Sequence, residues 1–210
     1  MNIYYDHVLG KVEKTFVAFS SIYATDVQDE ELALDKGFLY LKDDIWYNCR
    51  STRIKPYAID REYSFSAVHK TDFNPNDYLD IYEEFLENRG FNPTEDDWLF
   101  FNRDSIIEYY INNRLVGFSR LRHYKESVEL TLHCNTVLDK SFSYETLLYE
   151  IDLLKNLKYV YLGPGYERSS IYKSKIDNFE WFTGKEWSCD IAAYKSACER
   201  DSNLHLTTSS

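Results

Sequence analysis

Apolar residues recur at intervals of three and four through Tyr78, Ile81, Tyr82, Phe85 and Leu86, a spacing that predicts a helix. Asn74-Pro75-Asn76-Asp77 opens it and Arg89-Gly90 closes it. A stronger stripe of Tyr144, Leu147, Leu148, Ile151 and Leu154 predicts the principal helix over residues 142–157, capped by Ser141 or Ser143. Between these helices lie three strand-like runs, 105–111, 115–123 and 128–134. The first two join at Asn112-Asn113, which tolerate the positive φ of a tight hairpin. Asn92-Pro93-Thr94 predicts a short helical turn. Upstream, a strand is expected over 15–20, a short helix over 29–36 stopped by Gly37, and a hairpin of 38–41 with 45–49 about Asp43-Asp44. Extended chain is expected through Pro56. Downstream, strand 158–162 precedes a short helix at 169–176 and a last strand at 187–194.

This order predicts an α+β fold with a mostly antiparallel sheet flanked by helices. It divides the chain into a small β-containing subdomain (1–65), a core (66–198) and a flexible polar tail (199–210). The 19 Tyr and 13 Phe supply a core despite low hydropathy, with many rings half-buried and their hydroxyls bonded.

The net charge of −11 argues against general DNA or RNA binding, which needs phosphate neutralisation. Local basic faces are still possible. Arg50, Arg53 and Lys55 form one cluster; Arg114, Arg120, Arg122, His123 and Lys125 a second; Lys155, Lys158, Arg168, Lys173 and Lys175 a third. Ordinary solvated faces are the plainer reading of all three. Cys49, Cys134, Cys189 and Cys198 lack metal or thioredoxin spacing, so no metal is expected. No signal-like segment or membrane-length apolar run occurs, and a cytoplasmic setting is expected.

The most informative segment is Tyr161-Leu162-Gly163-Pro164-Gly165, a strand end, followed by Tyr166, Glu167, Ser169, Tyr172, Lys175, Phe179 and Trp187. It resembles the signature of the aminoacyl-tRNA–protein transferases, the bacterial leucyltransferases and arginyltransferases of the N-end rule. That signature runs Tyr-Leu-Gly-Tyr-Trp-Ile, then Ser, Tyr-Lys, Phe and Trp. Pro164-Gly165 replaces its aromatic pair, Ser174 its tyrosine, and one residue is inserted before Phe179. Gly37-Phe38, Tyr47 and Cys49-Arg50-Ser51-Thr52-Arg53-Ile54 resemble a second family motif, Cys-x-Pro-x-Arg-Ile. The earlier cysteines are missing and Thr52 stands for the proline. The resemblance spans residues 35 to 187 and implies a GNAT-like acyltransferase core, whose order of elements agrees with the one read above.

The resemblance implies aminoacyl transfer from aminoacyl-tRNA to an amine, with a peptide or protein as acceptor. It implies catalytic roles for Lys175, Ser169, Tyr172 and Glu167, and substrate contacts for Cys49, Arg53, Tyr161, Gly163 and Tyr166. Each has a plainer role: Ser169 as a helix cap, Lys175 as a solvated lysine, Tyr161 and Tyr172 as core rings, Cys49 as a small buried side chain. Glu150 and Glu167 are candidates for an α-amine, and His133 for a base facing the cleft, although a structural histidine is the commoner case. No cofactor is expected. The turn from Leu138 to Ser143, where a CoA-dependent GNAT enzyme binds pyrophosphate, has no glycine and carries Asp139. Two other readings stay open: a non-catalytic GNAT-fold protein that binds a partner, and an acyltransferase with a different, non-CoA donor. Both motifs are expected to meet in one cleft.

Overall fold

The computed structural model describes residues 2–6, 14–23, 29–40, 45–90 and 104–204. The strands are β1 (Asn2–Asp6), β2 (Lys14–Tyr23), β3 (Phe38–Tyr40), β4 (Ile45–Cys49), β5 (Ser51–Ile54), β6 (Ser66–Lys70), β7 (Asp104–Ile111), β8 (Arg114–His123), β9 (Ser127–Asn135), β10 (Tyr159–Pro164), β11 (Phe179–Phe182) and β12 (Trp187–Ser188). The α-helices are α1 (Glu30–Asp35), α2 (Leu79–Arg89), α3 (Lys140–Leu153) and α4 (Ile191–Leu204). Strands β1-β2-β4-β3 form a small antiparallel sheet, and β12-β11-β5-β10-β9-β8-β7-β6 form a large one. Within the large sheet β9 and β10 pair in parallel, and the other pairings are antiparallel. This is the mixed α+β architecture expected, a mostly antiparallel sheet flanked by helices.

The turn chemistry follows the sequence. Asn112 and Asn113 take φ of 51° and 61° between β7 and β8, and Gly90 ends α2 at φ 74°. Asp29 caps α1 by accepting from the Leu32 N–H at 3.2 Å. Asn74 caps a 3-10 turn (Pro75–Tyr78) that leads into α2. The expected turns at Asp43-Asp44 and Asn92-Pro93-Thr94 lie outside the described residues.

Four expectations are corrected. Asp139, rather than a serine, caps α3: its carboxylate accepts from the Ser141 N–H at 2.9 Å and the Ser141 hydroxyl at 2.7 Å. The last strand stops at Ser188, because Asp190 caps a helix instead and accepts from the Ala193 N–H at 2.9 Å. Tyr194, Ala197, Cys198 and Asp201 then bury one helical face, so α4 runs through the expected start of the tail at Glu199 as far as Leu204. Finally, β5, grouped by sequence with the amino-terminal subdomain, lies inside the large sheet between β10 and β11.

Alternation along β5 and β10 sorts side chains onto two faces. Ile54, Val160 and Leu162 join the main core under α3. Cys49 and Tyr161 belong to a second cluster with Leu34, Leu39 and Trp46, on the α1 side.

The pairing of β10 with β9 ends at Tyr161 opposite Glu129. Beyond it β10 bulges against β5 between Tyr161 and Pro164, where Gly163 sits at φ 74°. A Cβ on Gly163 meets nothing within 4 Å, whereas one on Gly165 falls 2.5 Å from both Thr52 Cγ2 and the Tyr194 hydroxyl. Gly163→Ala is therefore expected to cost only the left-handed backbone penalty, about 1 kcal/mol. Gly165→Ala adds overpacking of about 1–3 kcal/mol. Urea denaturation of the two variants checks the order.

Candidate functional site

Where β9 and β10 part, a cavity of about 800 Å³ opens. Leu130–His133 of β9 and Leu162 of β10 form its walls. Ser141, Ser143, Tyr144, Leu147 and Glu150 of α3 cover it, and Phe85 and Arg89 approach from α2. The 3-10 helix Arg168–Lys175 closes the remaining side with Ser169, Tyr172, Lys173 and Lys175. Clefts beyond the carboxyl ends of strands are where α/β folds place ligands, and an apolar pocket with a few convergent polar groups is the usual form.

A buried polar chain leads into this cavity. Asn135 Nδ2 donates to Ser143 Oγ at 2.9 Å and to His133 Nε2 at 3.2 Å. The imidazole proton then resides on Nδ1 and is donated to Ser119 Oγ at 2.7 Å. The Ser119 hydroxyl lies 3.0 Å from the Tyr109 hydroxyl, which in turn donates to Glu150. Ser119, Tyr109 and Glu150 are at most 1% exposed, so each polar atom depends on its protein partners. His133 Nδ1 is 3.7 Å from the Glu150 carboxylate. Strands β7, β8 and β9 and helix α3 each supply a member, so the chain is held on rigid elements.

Lys173 is the second unusual group. It is buried, and its ammonium donates to the carbonyls of Leu162 and, at 2.9 Å, Pro164. These carbonyls belong to the part of β10 that has left β9. Desolvation by burial lowers its pKa from 10.5 to about 8, against smaller opposing effects of Cys49 and Cys198. Perturbed cationic groups beside a cleft are candidates for function.

The residues named from sequence divide between the faces. Ser169, Tyr172 and Lys175 line the cavity, with Tyr172 44% exposed. Gly163 bends the strand next to it, and its carbonyl is held by the Thr52 hydroxyl at 2.8 Å. The two motifs thus meet as neighbouring strands, but Cys49, Arg53 and Tyr161 point to the α1 side and do not line the cavity. Arg53 pairs with Glu180 at 2.7 Å and Asp35 at 3.2 Å, and lies 3.7 Å and 3.9 Å from the ring centroids of Tyr159 and Trp187. Cys49 is fully buried 3.3 Å from Ser51 Oγ, and burial pushes its thiol up to about 12. Tyr166 and the buried Glu167 also lie off the cavity; the Glu167 N–H donates to Asp201 at 3.3 Å. Ser169 is not a helix cap, since the 3-10 helix begins at Arg168.

Sequence reading missed Lys173, Ser119, Tyr109, Asn135 and Arg89. The Tyr172-Lys173 dipeptide was the available signal for the lysine. The others become visible only when strands far apart in sequence are set side by side.

The basic clusters are largely internal ion pairs. Arg50 pairs with Asp201, Arg122 lies 3.6 Å from Glu129, and Arg120 lies 3.7 Å from Asp104. Lys155 bonds Asp152, Lys158 bonds Asp35, and Arg168 bonds Glu199. Among the described residues, Arg89 and Lys175 supply the exposed cations of the cavity rim.

The lowered Lys173 pKa sets a pH dependence of stability. Below about 8 the ammonium persists in both the folded and unfolded chain, and the burial cost is present in full. Between about 8 and 10.5 the unfolded chain holds a proton that the folded chain has released, so stability rises with pH. Relative to Lys173→Met, the wild type is expected to gain stability from pH 7.5 to pH 9, on the order of 1 kcal/mol. Urea midpoints at the two pH values measure it, and equal differences would show that Lys173 does not titrate there.

No protein-family model matches the chain, and no curated protein matches it. Among solved structures it is similar to L-PGS from Bacillus licheniformis, at 12% identity and a TM-score of 0.43 over 65% of this chain and 49% of that one. It is similar to a functionally unknown conserved protein from Staphylococcus epidermidis, at 14% identity and a TM-score of 0.43 over 73% of this chain and 62% of that one. A GCN5-related N-acetyltransferase from Kribbella flavida gives 8% identity and a TM-score of 0.36 over 69% of this chain and 57% of that one. The chain spans about half the length of the Bacillus licheniformis protein. No helix among the described residues is long and apolar enough to cross a membrane, and none of their His, Cys, Asp and Glu side chains gather in threes to hold a metal.

Proposed function

We propose that the cavity between β9 and β10 transfers an acyl group from an ester donor to an amine. The observation that carries this reading is the meeting, in one cavity, of the His133 proton chain and the buried Lys173. Ester aminolysis needs a proton acceptor for the attacking amine and a donor for the developing oxyanion. His133 Nε2, contacted by Asn135 Nδ2 at 3.2 Å and Thr146 Oγ1 at 3.4 Å, takes the amine proton once the incoming amine displaces the Asn135 N–H from its lone pair. Its Nδ1–H stays on Ser119, and the Glu150 carboxylate stabilises the resulting imidazolium. Lys173, Lys175 and Ser169 supply cationic and hydroxyl donors to the carbonyl oxygen. Attack of the amine forms the C–N bond of the tetrahedral intermediate; its collapse re-forms the carbonyl and breaks the ester C–O bond, and His133 returns the proton to the departing alcohol oxygen.

An aminoacyl-tRNA is the donor class the motif resemblance supports, with a peptide or protein amino terminus as acceptor. The α3 start favours an ester over CoA. The Asp139 carboxylate accepts from the first-turn N–H of Ser141, and the hydrogen bonds from Ser141 hold its carboxyl below the usual range. A pyrophosphate arriving there meets a negative charge rather than free donors. Few rim cations are unpaired, so the contact with tRNA is confined to its acyl-bearing end.

With charged tRNA and peptide acceptors, amide formation is expected. His133→Gln should lower kcat by about 10²–10⁴ with little change in fold, the usual range for a lost general base. Lys175→Ala should raise KM and flatten the salt dependence. Calorimetry with CoA is expected to give no micromolar binding. Transfer from acetyl-CoA would move the donor assignment. Absence of transfer from every charged tRNA, with no tRNA binding at low salt, would favour the partner-binding alternative, to which the built-in structural roles of Cys49 and Arg53 already lend weight.

A further inference from the structure

A second group of polar side chains lies at the far end of the large sheet, away from the cavity. Ser105 of β7 is 1% exposed, yet its hydroxyl is approached from both sides by imidazoles. His69 Nε2 of β6 lies 2.8 Å from Ser105 Oγ, and His123 Nε2 of β8 lies 2.6 Å from it. The strand register explains the convergence. His69 stands opposite Ile107, two residues from Ser105 on the same face of β7, and His123 follows two residues after Leu121, which stands opposite Ser105. Both histidines are thus diagonal cross-strand neighbours of one serine. Their ring centroids are 6.2 Å apart with planes inclined by 32°.

One hydroxyl has a single proton. It donates to one imidazole and accepts from the other, so at least one Nε2 lone pair is aimed at the point the rings share. We propose that His69 and His123 form a two-imidazole site for a divalent first-row transition metal, with Ser105 Oγ and water completing the coordination. Three observations carry it: two Nε2 atoms converge on one oxygen, three hydrogen-bonded strands hold them, and both rings keep access to solvent, His69 being exposed and His123 half-buried. Burial lowers the pKa of both histidines, and for His123 the neighbouring His69 adds to the effect against a smaller opposing one from Asp104. This favours the neutral imidazoles that metals require. Imidazole ligands select Zn²⁺, Ni²⁺ or Cu²⁺ over Mg²⁺ or Ca²⁺. No third histidine, cysteine or carboxylate joins the group among the described residues, so the site is open rather than closed. Its effect is to tie the edge strand β6 to β8 across β7.

The full chain is titrated with NiCl2 and with ZnCl2 by calorimetry, with MgCl2 as control. One ion per chain is expected for the transition metals and none for Mg²⁺. His69→Gln and His123→Gln should each weaken binding by at least about tenfold, and Ser105→Ala, which removes the oxygen ligand that water can replace, should weaken it less than either. No transition-metal binding, or unchanged binding in the double His69→Gln/His123→Gln variant, overturns the proposal. Circular dichroism confirms that each variant folds. Electron paramagnetic resonance of the Cu²⁺-loaded wild type reads nitrogen ligation independently of any variant: two imidazole nitrogens are expected, and one or none would refute the site.

Discussion

The structure depends on how the backbone of β10 is satisfied once it leaves β9. A strand that stops pairing in the middle of a sheet strands its carbonyls, and buried polar groups without partners are costly. Here the Leu162 and Pro164 carbonyls go to the Lys173 ammonium, the Gly163 carbonyl goes to the Thr52 hydroxyl, and the Gly165 N–H goes to the Arg50 carbonyl at 2.7 Å. Two distant parts of the chain, the segment about β5 and the 3-10 helix, therefore cooperate to hold two strands apart. The cavity is the space this produces. Lys173 has two roles in one geometry: it keeps the cavity open and brings a positive charge to its wall.

The same arrangement explains why the upstream motif reads as functional while its side chains face elsewhere. Thr52 and the Arg50 backbone act on β10 directly. Arg53, one residue on, alternates to the other face and is clamped by two carboxylates and two aromatic rings. Removing this buried cation would take from Glu180 its partner and from Asp35 one of two, the other being Lys158, so its loss is felt as stability rather than chemistry. Cys49 sits in the same layer, protonated and enclosed. The motif shapes the site through backbone and hydroxyl, and anchors the opposite layer through its charge.

Much of the fold was legible locally. The α2 and α3 stripes, the Asn112-Asn113 hairpin, the Gly37 and Gly90 stops and the order of the central strands each rest on residues close in sequence. Failures arose where a local pattern served two outcomes. The run from Trp187 was rich enough in β-formers to predict a strand, yet Asp190 accepts from a backbone N–H and starts a helix whose buried stripe only α4 as a whole makes visible. The cap of α3 went to the aspartate because a carboxylate two residues before Ser141 reaches both its N–H and its hydroxyl. Of the residues that the resemblance singled out, Ser169, Tyr172 and Lys175 line the cavity. His133 and Glu150 were named singly, but their link through Tyr109 and Ser119 was not, because the four come from four elements and are assembled only by strand register.

Charge placement constrains the chemistry further. The chain carries −11 overall, and most of its arginines and lysines near the core are neutralised at close range. Beyond a Debye length of about 10 Å at 0.1 M salt, a polyanion meets the net charge rather than any one lysine. Long-range steering of nucleic acid towards this surface is therefore unfavourable, and the proposed transfer would rest on contacts made inside the cavity. That is compatible with a donor whose reactive end alone is enclosed, and it sets this protein apart from binders that hold a duplex along an extended basic face. The buried Lys173 fits that arrangement. Shielded from solvent by the 3-10 helix, it would act at short range on the carbonyl of the proposed donor, where the low dielectric makes a single charge count most.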